Sequence, residues 1–342
     1  MNEPNKENQA ETPELDKETS YEVIAIDNSV TELFDKELSL QKPKTKLLSY
    51  IPSFFTTASL PFKNIHKTVF VRRGSQGVKL TLSSPFNVPF GKYGRLLLSI
   101  FTTHAVLSKE KDAPVYMEFR SLADLLKEMQ LPRQRGSAVR EQLECFMNAS
   151  FAFDQRVEER QAGDLFKDLY QDGNYPKKDV NVVIRSTGNI RFTEGIQFKE
   201  IEDGSAENKF GDFKIILSAE FARFCQQHAV PIDYTVYRDI NSAVGKDLYA
   251  WLVFRNNGIT NPVFIPKESL VDQFMPVTET ANPNQRNVNY NRLIDMLAEI
   301  KTKYYPELNI DLDSNSLGIT LFKSPTPVIK NDKRYALITS LI

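Results

Sequence analysis

The sequence predicts an α+β protein: two tandem winged-helix domains with a disordered acidic N-terminal arm. Three observations predict it. A helix, a short helix, a longer helix and a β-hairpin follow one another twice along the chain, the order of a winged helix-turn-helix. Residues 1–45 carry 11 acidic and 5 basic residues, a net of −6, against +5 for the remainder. That same stretch has too little apolar surface to offset the entropy of ordering it. The expected division is 1–60 for the arm, 61–232 for the first winged helix and 233–342 for the second.

Residues 66–71 and 77–82 are short β-like runs, and Pro89-Phe90-Gly91 is a turn. Leu97, Ile100, Phe101, His104 and Leu107 then recur at helical spacing. Ser121, three residues before Asp124, opens a short helix in the manner of a capping box, and Pro132 closes it. A third helix over 137–148 turns Val139, Leu143, Phe146 and Met147 inward. Alternating strands follow at 150–153, 180–185, 190–192, 196–201 and 213–217. The mixed-charge stretch 154–179 reads as a solvated loop inside the first wing. The second unit repeats the order: helices over 243–256, 267–274 and 287–305, then a hairpin of 309–312 and 318–322. The halves share architecture and no residue-level repeat.

Composition excludes several classes. The 342 residues are 41% hydrophobic and 25% charged, ordinary for a soluble protein of two domains. The densest apolar run, 96–101, contains Ser99 and is far short of a bilayer span. The N-terminus lacks the basic and apolar regions of a secretory signal, so a cytoplasmic protein without a membrane partner is expected. Cys145 and Cys225 cannot build a disulfide scaffold or a four-cysteine zinc site. There is no P-loop, no G-x-S-x-G elbow and no paired-histidine metal motif, His66, His104 and His228 being far apart. His104 reads as a core histidine and both cysteines as packing residues. No cofactor and no metal are expected, and a binding protein is favoured over an enzyme. The charge split alone is equally consistent with a nucleic-acid-binding body or a solvated tail on an indifferent domain.

The sharpest binding signal is Gln285-Arg286-Asn287-Val288-Asn289-Tyr290-Asn291-Arg292, at the start of the last long helix. Arginine can bond bidentately to guanine, and Asn or Gln to adenine, in the major groove. In a helix-turn-helix such groups occupy the first turns of the third helix. Arg286, Asn289 and Arg292 are expected to face bases, and Gln285 and Asn287 phosphates. Asn291 belongs to the same candidate set. Helix capping accounts for one Asn and not for the whole cluster. Arg133, Arg135 and Arg140 flank the third helix of the first unit, where Glu141 and Glu144 weaken a groove-reading role and favour phosphate contact or none. Lys323 in the second wing, with Arg185 and Arg191 in the first, could touch the DNA backbone, though each alone also reads as an ordinary strand-end charge.

Three blocks elsewhere in the chain carry a family resemblance. Pro89-Phe90-Gly91 with Gly94-Arg95-Leu96-Leu97-Leu98 and Thr102-Thr103-His104-Ala105-Val106 resembles the first block of RepA-type plasmid replication initiators. Leu217-Ser218-Ala219-Glu220-Phe221 with Pro231-Ile232-Asp233, and Lys246-Asp247-Leu248-Tyr249-Ala250-Trp251-Leu252 with Arg255, are similar to the next two. The resemblance covers 85–322, leaves the arm outside and is interrupted at 154–179. It implies tandem winged helices that bind repeated sites (iterons) in double-stranded origin DNA. It further implies opening of adjacent DNA, recruitment of the host initiator and replicative helicase, and a homodimer formed through the first domain that represses its own promoter. Two other readings stay open on the residues alone: a tandem winged-helix transcriptional repressor without a replication role, and a winged-helix protein-docking module.

Overall fold

A computed structural model of the chain describes residues 46–74, 78–161, 180–186, 188–201, 209–277, 282, 284–312, 317–328 and 335–337. Residues 1–45 of the expected arm and 162–179 of the expected insertion lie outside the described residues.

In chain order, β1 (Lys46–Pro52) and the short α1 (Ser53–Thr57) precede a hairpin of β2 (Val69–Arg73) and β3 (Val78–Ser83). The first winged helix runs through α2 (Gly91–Leu107), β4 (Val115–Phe119), α3 (Leu122–Glu128) and α4 (Gly136–Met147). The chain then leaves it for β5 (Ser150–Gln161), β6 (Val180–Ser186) and β7 (Asn189–Arg191), and returns with β8 (Thr193–Ile201) and β9 (Lys209–Leu217). Next come α5 (Ala219–His228), β10 (Ala229–Asp233) and α6 (Tyr234–Asp239). The second winged helix is α7 (Ala243–Asn257), β11 (Val263–Pro266), α8 (Lys267–Phe274), α9 (Gln285–Glu299), β12 (Ile310–Asp311) and β13 (Gly318–Leu321). A π-helical turn, Ile300–Tyr304, extends α9, and β14 (Tyr335–Leu337) is the last described element.

The two units share one topology. Their three-stranded sheets have the orders β4-β9-β8 and β11-β13-β12, so in each the strand between the first two helices pairs with the last strand of the wing. Side-chain caps fix several helix starts, as expected of Ser before an apolar run. Ser121 accepts from the Asp124 amide at 3.3 Å, Ser218 from Phe221 at 3.1 Å and Ser242 from Gly245 at 2.8 Å. Gly91 opens α2 with φ of 69°, a backbone region that favours glycine. At the root of the second wing, a Cβ on Gly318 would strike the Ile265 carbonyl oxygen across the β11–β13 ladder.

The sequence-based expectations need three corrections. Residues 46–60, expected within the arm, belong to the folded body: Leu47, Ile51, Phe55 and Leu60 are all buried. β1 pairs antiparallel with β10 and parallel with β14, so Leu48 stands opposite both Asp233 and Leu337. Residues 154–161 are strand rather than loop, and β5 to β7 form a separate sheet with β2 and β3. The first wing is therefore the β8–β9 hairpin. Arg185 and Arg191, expected in that wing, lie on β6 and β7 of the separate sheet.

An aromatic cluster anchors this added layer. Phe151 packs 4.7 Å from Phe192 and 5.2 Å from Phe55, and Phe146 of α4 meets Phe192 edge-on at 4.9 Å. In the second unit Trp251 of α7 meets Phe274 of α8 at 5.2 Å, and Leu293 and Leu297 of α9 are buried.

Candidate nucleic-acid interface

The start of α9 divides into an inner and an outer half. Tyr290, Leu293 and Leu297 are buried at the 3–4 residue spacing of one helix face, and the Tyr290 hydroxyl donates to the Gly318 carbonyl at 3.0 Å. This fixes the helix against the root of its own wing. The outer side presents Asn287, Val288, Asn291, Arg292 and Asp295, all exposed.

The amide-rich cluster does not act as one patch. Asn289, expected to face bases, is 6% exposed. Its amide donates to the Met275 carbonyl at 2.9 Å, and its oxygen accepts from Gln285 at 2.8 Å. Met275 is the C-cap of α8, so this chain of bonds pins the turn between α8 and α9. The reason is register: 289 falls next to Tyr290 on the buried side, while 288, 291 and 292 fall on the outer arc. Gln285, expected on a phosphate, is partly buried and used in the same chain. Arg286 pairs with Asp272 of α8 at 2.7 Å, both exposed enough that the pair contributes little stability. Asn287 accepts from Lys267 at 2.6 Å and remains at the surface. The helix N-cap, Asn284, makes no side-chain capping bond. Arg292 and Asn291 are exposed. Val288, 42% exposed, is the feature that reading polar groups alone overlooks.

In the first unit α4 takes the equivalent place. Arg133 and Arg135 are exposed on a 3-10 turn, Arg133–Arg135, just before it. Arg140 donates to Glu144 at 3.1 Å, one turn along, and Glu141 is exposed beside them. The outer face of α4 thus carries two carboxylates, Glu141 and Glu144, beside Arg140, while the outer face of α9 carries neutral amides and Arg292 with one carboxylate, Asp295.

Lys323, expected on the second wing as a backbone contact, is committed elsewhere. Its ammonium donates to the Asn256 carbonyl at 2.7 Å, near the end of α7, while the Asn256 side chain holds Ser324 at 2.8 and 2.9 Å. The lysine adds a donor to a helix-terminal carbonyl that also accepts from the backbone of Gly258 and Ile259. Leu317, 66% exposed, leads into β13 of the second wing, and Phe264, 48% exposed, lies on β11, which pairs with β13.

The two units are joined by a buried ion pair between their first helices. Arg95 of α2 meets Asp247 of α7 bidentately, Nε to Oδ1 and Nη2 to Oδ2, both at 2.7 Å. Its remaining donors go to the carbonyls of Leu60, Pro61 and Gly91 at 2.7, 3.1 and 2.9 Å. Ser59 adds a bond to Asp247 Oδ1 at 2.8 Å. All five guanidinium donors are satisfied, which a charge 1% exposed requires. Next to Asp247, Lys246 is fully buried and donates to the carbonyls of Tyr237 and Arg238 at the end of α6. Burial, helped by Lys92 and Arg95, pulls its pKa down to about 7. Arg72, over the Phe62 ring at 4.2 Å, is likewise pulled down by burial, to about 10.

The remaining candidates for chemistry are occupied by packing. His104 is held by Glu128 at 2.6 Å, linking α2 to α3. Both thiols are buried. Burial pushes Cys145 up to about 11, with Glu141 and Glu144 adding to the shift, and pushes Cys225 higher still. Among the described residues no cluster of His, Cys, Asp and Glu could hold a metal ion, and no helix is long and apolar enough to cross a membrane.

No known protein family and no curated protein matches the chain. Among solved structures, domains 2 and 3 of RctB (as the selenomethionine derivative) align with 81% of this chain and 99% of that one, at 12% identity and a TM-score of 0.46. RctB residues 155–483, again domains 2 and 3, align with 77% of this chain and 92% of that one, at 11% identity and a TM-score of 0.41. The Pi initiator protein, solved in complex with iteron DNA, aligns with 84% of this chain and 99% of that one, at 13% identity and a TM-score of 0.42. Likenesses this distant leave the function to be argued from the residues.

Proposed function

We propose that the protein is a replication initiator that binds repeated sites in a plasmid origin and opens the adjacent DNA without nucleotide hydrolysis. The observation that carries this reading is the outer face of α9, where Asn287, Val288, Asn291 and Arg292 stand exposed on the third helix of a winged helix. That is the helix whose N-terminal half enters the major groove in proteins of this architecture. The sequence resemblance to RepA-type initiators adds the origin, the repeats, the host initiator and helicase as partners, and dimerisation with autorepression through the first domain. In this reading the second unit reads sequence. The first adds phosphate contacts through Arg133 and Arg135 and a protein interface. Distorting a site costs roughly 1–6 kcal/mol, which contacts from two winged helices can offset. No group in the molecule is assigned a catalytic role.

The test is selection of duplexes from a random pool by the full chain, followed by affinity measurements across a salt series. The expected result is a recurring motif, affinity that falls steeply with salt, and repeats of that motif beside the gene. Absence of enrichment with salt-insensitive binding would leave a protein-docking module as the better reading. Normal replication of a plasmid deleted for the gene would favour a repressor.

A further inference from the structure

We infer that Val288 is a specificity-determining residue that reads the methyl group of a thymine, one helical turn before Arg292. The inference rests on the reading of α9 as the base-reading helix and deepens it.

Val288 stands alone on its face. Of the apolar side chains of α9, Tyr290, Leu293 and Leu297 are buried and Ile294 and Met296 partly so, while Val288 is 42% exposed. Its neighbours along the outer arc are Asn284, Asn287, Asn291, Arg292 and Asp295, every one polar. Neither helix propensity nor packing accounts for it. A β-branched residue lowers helix propensity, and at 42% exposure much of its apolar surface still lies in water. The residue gains most if a ligand covers it.

The chemistry beside it names the ligand. The thymine C5 methyl is the one apolar group on a base edge in the major groove, and it is read by small apolar side chains among hydrogen-bonding ones. Asn291 and Arg292, three and four residues on, share the outer arc with Val288, so one arc carries a methyl reader, an amide and a guanidinium. One helical turn rises 5.4 Å and successive bases along a strand lie ~3.4 Å apart. Val288 and Arg292 therefore address positions one to two base pairs apart. The partner is duplex DNA with a thymine at that offset from a guanine.

The test uses the full chain and the best duplex from the random-pool selection. Each thymine is replaced singly by deoxyuridine, which removes only the methyl, and binding is measured by fluorescence anisotropy for wild type, Val288→Ala and Arg292→Ala. One deoxyuridine is expected to weaken wild-type binding about fourfold, the value of one buried methyl. It lies within two base pairs of the position whose preference Arg292→Ala relaxes. Val288→Ala binds the thymine duplex about as weakly as wild type binds the deoxyuridine duplex, and no longer distinguishes the two. If no deoxyuridine affects wild type, or Val288→Ala keeps the same sensitivity, the inference is overturned while the function stands. If no duplex is enriched at all, the function falls and this inference with it.

Discussion

At the residue scale, Lys246 shows what the buried joint costs. Its ammonium sits against the last carbonyls of α6 with no exposure to water. Its pKa falls from 10.5 to about 7 because burial penalises the charge, with Lys92 and Arg95 adding repulsion. Between those values the unfolded chain binds more protons at this site than the folded one, so stability rises with pH from about 7 to about 10.5. Unfolding free energies from urea titrations at pH 7, 8 and 9 should climb, by up to ~1.4 kcal/mol per pH unit from this group. Lys246→Met should lose that climb, and parallel curves for the two proteins would contradict the assignment. The sequence showed Lys246-Asp247 only as a charged pair inside a motif. The burial of Asp247 depends on contacts with Arg95 and Ser59, more than 150 residues away. No local pattern encodes such a contact. The outer residues were easier to find: Arg292 and Asn291 lie opposite an apolar stripe that the sequence displays plainly.

At the element scale, the third helices were legible because a stripe such as Tyr290, Leu293, Leu297 has one period and one solution. The strands between the first and second helices were not. β4 and β11 are five and four residues long and find partners only after the whole wing has returned, at β9 and β13. The alternation of the sequence ends the expected strand at residue 153, where charged residues begin, whereas β5 runs on to Gln161 beside β6. Asn289 illustrates the same problem in a side chain. Its type suggested a base contact, but its register turned it onto the Met275 carbonyl. Asn289→Ala should therefore cost ~1–3 kcal/mol of stability by orphaning that carbonyl, measured by urea unfolding. The variant should still select the same DNA motif as wild type. An altered preference at one base with unchanged stability would return Asn289 to the reading surface.

At the scale of the whole molecule, the two winged helices are coupled through α2 and α7 rather than left as beads on a linker. The Arg95–Asp247 pair lies between the first helices of both units, and β1 closes a sheet with β10 and β14 from three distant parts of the chain. Replacing Asp247 by Asn leaves a buried guanidinium without its counter-charge. A loss of about 3–5 kcal/mol in chemical denaturation is expected, and a loss under 1 kcal/mol would mean that the joint is solvated. The orientation that this joint imposes matters only if α9 meets DNA bases. The most direct test is the affinity of wild type and Arg292→Ala for the selected duplex, for its single-base variants and for random duplex. The account predicts a loss of roughly 1–3 kcal/mol on the selected duplex, relaxed preference at one base pair, and nearly unchanged binding to random DNA. Equal losses on selected and random duplex, or no loss on either, would contradict it.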